Sequence, residues 1–374
     1  MKILFATGHP HLPQFHGGSQ SSTHELALAF MARGHEVAVL CSLWGAGLVG
    51  LRSRLALKLL RRPAARDRVA GYDVYRKWAV AEDVEDIVAE VRPDVAVVMA
   101  MHPVPVARAL SDAGAPTLVY LRDVDFGSLG GDPRELEDVA FLANSQFTAS
   151  RYREEFGIEA DVLPPLFDAS RYRVEGREGR FVTFINPTPV KGLHLALEIA
   201  ALCPEIPFLF VESWPLEPEE RRALLAWLDR LPNVTFAARS ADMKRVYGRT
   251  KILLAPSQCE EAWGRVATEA QFSAIPVLAS EIGGLPEAVG PGGVLVPATS
   301  PANVWGAEVR RLWNDAEIYG EKSSAAVAYS RRADLDPGTQ IASLEVKLGR
   351  LLQTPLREGV KDPKGREGLT VLPQ

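Results

Sequence analysis

Glu261 and Glu269 stand with seven residues between them in the stretch from Pro256 to Glu287, PSQCEEAWGRVATEAQFSAIPVLASEIGGLPE. The apolar run KILLAP before them reads as a buried strand, and Gly264 lies where a helix carrying Ala267, Ala270 and Phe272 would begin. That places Glu261 on a loop and Glu269 inside the helix. The first amides of such a helix, from about Gly264 to Val266, form an anion site suited to a diphosphate. Carboxylates beside it would accept sugar hydroxyls, so the stretch reads as a sugar-nucleotide site.

Two series of elements must position these residues. Apolar runs recur at KILFA, EVAVL, DVAVVMA, PTLVYL and VAFLAN, separated by helix-like segments such as Ser21 to Ala32 and Val104 to Asp112. A second series follows: FVTFIN, IPFLFVE, NVTFA, KILLAP, IPVLA and GGVLVP, with helices expected at Leu193 to Leu202, Pro218 to Leu231 and Ala302 to Trp313. Strand–helix alternation predicts α/β architecture with parallel, doubly wound sheets, so the chain reads as two Rossmann-like units. The paired prolines Pro164-Pro165 end the first unit, and a hinge is expected near Leu166 to Glu178. Ligands of such units bind at the carboxyl ends of the strands.

Pro256-Ser257, Gly264, Pro276-Val277, Gly283-Gly284 and Glu287 accompany the glutamates in order. The stretch thereby resembles family-4 retaining glycosyltransferases of the GT-B fold, which carry a Glu-x7-Glu motif, a small-Pro-Val strand and a GG-x-PE loop. The resemblance implies two Rossmann-like domains facing a central cleft. It implies that Glu269 holds the ribose hydroxyls of a nucleotide, that Glu261 contacts the transferred sugar, and that the Gly283-Gly284 loop closes over the donor side. After the strand FVTFIN, Lys191-Gly192 match the family's phosphate-binding Lys-Gly at a helix start. An ammonium there neutralises a diphosphate as a point charge. The family's arginine five residues earlier is replaced by Asn186, and Arg265 is expected to supply the missing charge from the helix opposite. Trp214 could stack on the base or pack its own loop, and backbone contacts to the base would come from Ala237 to Ser240.

The resemblance also orders the remaining chain. Residues 1–166 would form the acceptor domain and 167–338 the nucleotide-sugar domain. A C-terminal helix at 339–353 would cross back to the first domain, followed by a mobile tail at 354–374. Gly17-Gly18, ahead of a helix start at Ser19, Ser21 and Ser22, would face the donor diphosphate. Arg33-Gly34-His35-Glu36-Val37 matches a structural helix-to-strand turn, and Ala143-Asn144-Ser145 a strand end near the cleft. Arg122-Asp123 stands where the family often has a His-Asp pair, so Arg122 replaces a sugar-contacting histidine; an ion pair between the two is the structural alternative. His16, His102 and Asp123 are candidates for acceptor or sugar contacts. His9, His11 and His16 could converge on a metal, but the family needs none, because helix amides and basic side chains do its work.

Composition bounds the rest. With 374 residues, 47% hydrophobic and 24% charged, the chain has the balance of a globular protein of two domains. A net charge of −5 provides no field for nucleic acid. Three scattered cysteines, Cys41, Cys203 and Cys259, argue against a disulfide framework or thiolate zinc site, and a cytoplasmic setting is expected. The opening MKILFATGHP reads as a first strand, its apolar run being too short for a signal segment. The segment LRSRLALKLLRRPAARDR holds seven basic residues from Arg52 to Arg68 against one acid, Asp67. It could rest on anionic lipid at the cytoplasmic membrane face or be a mobile, solvated insertion. Leu51, Leu55 and Leu59 share one side of a helical wheel that Arg54, Lys58 and Arg62 overlap.

The expected activity is transfer of a sugar from a UDP- or GDP-linked donor to a glycan, lipid or small-molecule acceptor. The anomeric configuration is retained, with no cofactor beyond the donor. In the front-face route the departing phosphate oxygen takes the acceptor proton. Lys191, Arg265 and helix amides stabilise the leaving diphosphate while Glu261 orients the sugar. The alternative is a noncatalytic GT-B protein that binds a nucleotide or glycan. A nucleotide-dependent oxidoreductase would want G-x-G-x-x-G after its first strand, and this chain has only Gly17-Gly18, well removed from that strand.

Overall fold

The computed structural model describes residues 1–240 and 242–353. Residues 354–374, expected as a mobile tail, lie outside the described residues. The chain divides into two compact units. Unit 1 holds Met1–Asn144, Ala149–Leu163 and the chain from Gly338, and unit 2 holds Ser145–Thr148 and Pro164–Pro337.

Unit 1 contains strands β1 (Lys2–Pro10), β2 (Glu36–Ser42), β3 (Ala65–Asp67), β4 (Asp73–Lys77), β5 (Val95–Met99), β6 (Thr117–Leu121), β7 (Val139–Ala143) and β8 (Asp161–Val162). They form one sheet in the order β3-β4-β2-β1-β5-β6-β7-β8, parallel except for the β3–β4 pair. Its helices are α1 (Gly18–Ala32), α2 (Gly47–Leu60), α3 (Val84–Val91), α4 (Pro103–Asp112) and most of α5 (Gln146–Phe156). Residues 3–6 of β1 and the whole of β5 are buried because helices cover both faces of a parallel sheet.

β4 had no signal in the hydrophobic pattern, because its sequence DVYRK ends in two bases that are nevertheless buried. Arg76 is fully enclosed, donating to Asp67 Oδ2 (2.7 Å) and to the carbonyls of Leu12 (2.7 Å) and His11 (3.3 Å). Lys77 donates to the carbonyls of Glu82 and Asp83. A buried charge is tolerable only with such partners.

Unit 2 contains β9 (Phe181–Ile185), β10 (Phe208–Val211), β11 (Val234–Ala237), β12 (Thr250–Ala255), β13 (Val277–Ser280) and β14 (Gly293–Val296). Its sheet runs β11-β10-β9-β12-β13-β14 and is parallel throughout. The helices are α6 (Leu193–Leu202), α7 (Pro218–Leu228), α8 (Lys244–Tyr247), α9 (Arg265–Gln271), α10 (Leu285–Val289), α11 (Ala302–Asn314) and α12 (Ala316–Ser330).

Strand alternation sorts this unit's core into two layers. Val182, Phe184, Phe208, Phe210, Ile252 and Leu254 meet Trp305 and Val309 of α11 on one face. Ile185, Leu209, Leu253 and Val277 meet Ala267, Ala270 and Leu285 of α9 and α10 on the other. Each fully buried aliphatic or aromatic side chain contributes about 1.5–3 kcal/mol relative to exposure. The stretch read as a hinge adds to this core, since Phe167 and Tyr172 are buried in the second layer. α12 has no clean apolar stripe in sequence and starts on a side-chain cap, Asp315 accepting from the amides of Glu317 and Ile318.

The last described helix, α13 (Pro337–Leu351), buries Ile341, Leu344 and Leu348. Within unit 1 its Glu345 accepts two bonds from Arg33, both 2.7 Å, and lies 2.8 Å from His35 Nε2.

Candidate functional site

In unit 2 the strand order reverses between β9 and β12, where an open α/β sheet leaves a crevice at its carboxyl edge. Lys191 follows β9 and Glu261 follows β12. Lys191 Nζ lies 2.7 Å from Glu261 Oε1, and the same oxygen accepts from Ser257 Oγ at 2.6 Å. Both side chains are about one-fifth exposed, 20% for Lys191 and 17% for Glu261, so the pair is shielded yet open to a ligand.

The backbone brings the two loops together. Gly192 has φ +87°, and a Cβ there would stand 2.0 Å from the Pro256 carbonyl oxygen. The amide of Gln258 donates to the Val190 carbonyl at 3.0 Å. Gly192 therefore both takes the left-handed turn and admits the neighbouring loop, which explains a glycine after the lysine.

Gly283-Gly284 are placed against Glu261. The amide of Gly284 donates to the Glu261 carbonyl at 2.6 Å. A Cβ on Gly283, whose φ is +61°, would lie 2.5 Å from that oxygen. In unit 2 these glycines brace the loop carrying the carboxylate.

Asn186, standing where the resemblance calls for arginine, has φ +66° and is buried. Its Oδ1 accepts the Trp214 amide at 3.2 Å, and the Trp214 ring lies 5.4 Å from Lys191 Nζ. Asparagine tolerates left-handed backbone better than most side chains. Trp214 thus flanks the ammonium at the carboxyl end of β10.

Glu269 lies in α9, which begins after Gly264 at φ +93°. A Cβ at Gly264 would meet Leu285 Cδ2 at 2.5 Å. The first-turn amides, at Arg265 and Val266, have no intrahelical acceptors by the geometry of a helix start. Glu269 is buried; its Oε2 accepts from Tyr247 Oη at 2.8 Å and its Oε1 from Arg265 Nε at 3.3 Å. Burial, reinforced by the Glu269 charge, raises the Tyr247 hydroxyl well above its ordinary value, so it stays a donor.

Arg265, expected to supply the missing charge from the helix opposite, donates to Glu269 and is held by the stretch after Pro165. Nη1 donates to the Leu166 carbonyl at 3.2 Å, Nη2 to Tyr172 Oη at 3.1 Å, and the guanidinium covers the Phe167 ring at 4.2 Å. Tyr247 and Tyr172 carry no signal in the sequence because each is remote in number from the glutamate or arginine it serves, whereas Ser257 lies four residues before Glu261 in the same motif.

Unit 1 has its own loop cluster at the carboxyl ends of β1, β5 and β6, which are neighbours in the sheet. His9 ends β1, His102 caps α4, and Asp123 follows β6. Burial is the main cause that lowers the His9 pKa, with Asp123 opposing and His102 adding to the shift. Arg122 Nη1 donates to Thr23 Oγ1 (3.3 Å), and the guanidinium covers the Tyr120 ring at 4.7 Å. Gly17 is the extended N-cap of α1 and Gly18 its first residue, so the glycine pair opens this helix just after His16.

His11 is fully buried, with Nε2 2.8 Å from Tyr72 Oη, and His24 Nδ1 approaches the same hydroxyl at 2.9 Å. Burial and the nearby Arg76 charge lower the His11 pKa to about 3. Among the described residues no group of three or more His, Cys, Asp or Glu could hold a metal ion.

Residues 180–315 match the family described as "Glycosyl transferases group 1", and residues 16–171 match "Glycosyltransferase Family 4". Anabaena HepE, solved in complex with UDP and glucose, superposes with a TM-score of 0.73 over 94% of this chain and 100% of its own, at 19% identity. The fold is GT-B.

A second GT-B neighbour is sucrose-phosphate synthase from Thermosynechococcus elongatus, with TM-score 0.72 at 15% identity over 94% of this chain and 99% of that one. The relative from Segniliparus rotundus, a D-inositol 3-phosphate glycosyltransferase, is 29% identical over 222 residues, 52% of this chain and 49% of that protein. The one from Streptomyces bingchenggensis, of the same name, is 39% identical over 92 residues, 24% of this chain and 20% of its own. The matched part thus spans half or less of these relatives. The GT-B frame accounts for the two parallel sheets and for Lys191 and Glu261 at the crossover of the second.

Proposed function

We propose that this chain is a retaining glycosyltransferase. It moves a sugar from a nucleotide-diphosphate sugar, held by unit 2, to a glycan, lipid or small-molecule acceptor taken by unit 1. The observation that carries the reading is the Lys191–Glu261–Ser257 cluster at the strand crossover, next to a helix whose buried Glu269 is held by Tyr247 and Arg265.

Lys191 exchanges its carboxylate partner for a donor phosphate oxygen, and Glu261, so released, takes sugar hydroxyls. Glu269 accepts the ribose hydroxyls, and Arg265 acts through Glu269 by fixing its orientation. In the reacting complex the bond from the anomeric carbon to the phosphate oxygen breaks and the acceptor oxygen bonds to the same face. The leaving phosphate oxygen takes the acceptor proton, so no protein base is needed. Lys191 and the first amides of α9 stabilise the charge that develops on the diphosphate.

UDP in the HepE complex favours a UDP-linked donor. The name of the inositol-phosphate relatives puts a phosphorylated polyol first among acceptors to try.

The test is thermal stability against UDP-, GDP- and ADP-sugars, because a ligand at ~100 times its dissociation constant adds about 2.7 kcal/mol. A rise with one nucleotide class, cut to about a third in Lys191→Ala, is expected. Product NMR should then show the donor's anomeric configuration, with turnover unaffected by EDTA. An inverted product overturns retention, and EDTA inhibition reversed by Mg²⁺ overturns metal independence. Donor binding without turnover across an acceptor panel favours the noncatalytic reading, to which Asn186 at the arginine position is the pointer.

A further inference from the structure

The segment from Arg52 to Arg68 covers most of helix α2 and the strand β3, and the outer face of that helix is unusual. Leu48, Leu51, Leu55 and Leu59 of α2 are 77%, 52%, 49% and 72% exposed. At 3.6 residues per turn these four fall within an arc of ~80°. Ser53, buried on the inner side, lies roughly opposite. The leucines therefore form a row facing away from unit 1, where a soluble surface helix would carry polar residues.

The bases flank that row. Arg52 lies to one side and Arg54 and Lys58 to the other, all exposed. Among the described residues none of the three pairs with a carboxylate, whereas Arg66 and Arg68, further on, are both tied to Asp73. α2 contains no acidic residue.

Two tryptophans extend the patch. Trp78 is 61% exposed and Trp44 41%. A Cβ on Gly45 would stand 3.0 Å from the Trp78 ring and 3.5 Å from Arg54 Cδ, so the Trp78 ring sits beside the start of α2. Indole rings favour the headgroup level of a bilayer.

We propose that α2, with Trp44 and Trp78, docks unit 1 onto an anionic lipid bilayer. The helix lies in the interface, the leucine row enters the acyl boundary, and Arg52, Arg54 and Lys58 meet lipid phosphates. At 14 residues it is an interfacial element, and no described helix is long and apolar enough to cross a membrane. A row of leucines bordered by unpaired bases has the charge pattern of a lipid surface, whereas a second copy of the same face would bring like charges together. The inference is independent of the donor site.

The experiment is flotation of the full chain with vesicles of phosphatidylcholine alone or mixed with phosphatidylglycerol. Binding at least tenfold stronger to the mixed vesicles is expected, with brominated lipid quenching tryptophan emission less in a W44F/W78F variant. Leu51→Asp with Leu55→Asp should abolish binding while leaving the melting temperature unchanged, both positions being exposed. R52Q/R54Q/K58Q should weaken it about fivefold per charge, roughly a hundredfold in all. Equal binding to both vesicles, binding to neither, or binding unchanged in the leucine variant overturns the proposal. So does self-association lost in the leucine variant without vesicle binding.

Discussion

The ammonium nitrogen of Lys191 lies 2.7 Å from Oε1 of Glu261, joining the loop after β9 to the loop after β12 where the strand order reverses. Each residue holds the other where a ligand with both phosphate and hydroxyl groups would engage the two together. Lys191→Ala is expected to weaken donor binding by about 2 kcal/mol, roughly 30-fold. Glu261→Gln should lower kcat more than it raises KM. Calorimetry and steady-state kinetics check this, and an equal loss of affinity and turnover in Glu261→Gln would remove the sugar-orienting role.

Arg265 and Glu269 form a pair with both side chains about one-tenth exposed, at 10% and 9%. If Arg265 works through Glu269, Arg265→Ala and Glu269→Gln each weaken the donor about tenfold, and the double variant is little worse than the single ones. Additive losses in that cycle would instead give Arg265 a contact of its own with the donor.

Gly283→Ala places a methyl 2.5 Å from the Glu261 carbonyl oxygen at a φ of +61°. Backbone cannot yield as a side-chain end does, so a cost of about 1–3 kcal/mol is expected, measured by denaturant unfolding. Turnover should fall with the displaced Glu261. An unaltered kcat would show that the brace is unimportant to the carboxylate.

Glu345 has its carboxyl lowered from 4.5 to about 2, by hydrogen bonds from Arg33 first and from His35 as well, against opposing desolvation. A carboxylate depressed in the folded state contributes stability above its unfolded pKa and loses it as pH falls from 4.5 toward 2. His11 adds a separate acid loss beginning below 6.5, because burial keeps it neutral to about pH 3 in the folded chain. The Glu345 part is isolated by difference. Glu345→Gln should melt about 2–4 °C lower at neutral pH, with the gap closing as pH falls through that lower window. A gap constant with pH would mean that the charge of Glu345 contributes nothing.

Much of this was legible in sequence where local pattern and final environment coincide. FVTFI and KILLA are continuously apolar because β9 and β12 are covered on both faces, and Lys191-Gly192 carries its own backbone explanation. β4 was hidden because Arg76 and Lys77 look like surface residues until their carbonyl partners are known. Arg265 and Glu269 are an i,i+4 pair on one helix, but Tyr247 beside Glu269 and the partners of Arg265 after Pro165 required the fold, since nothing in their spacing says that α8 and that stretch meet α9. The leucine row of α2 is half visible: the wheel places Leu51, Leu55 and Leu59 together, but their exposure and the burial of Ser53 are needed to show which way they face.

Glu345 ties the last described helix to Arg33 and His35 in the first helix-to-strand turn of the same unit. Unit 1 is thus made in two pieces during synthesis, with residues 164–337 of unit 2 translated between them. At ~5–20 residues per second a ribosome takes roughly 10–35 s over that interval. Unit 2 can close on itself as soon as it emerges, whereas unit 1 waits, with the seat for Ile341, Leu344 and Leu348 uncovered, until α13 arrives.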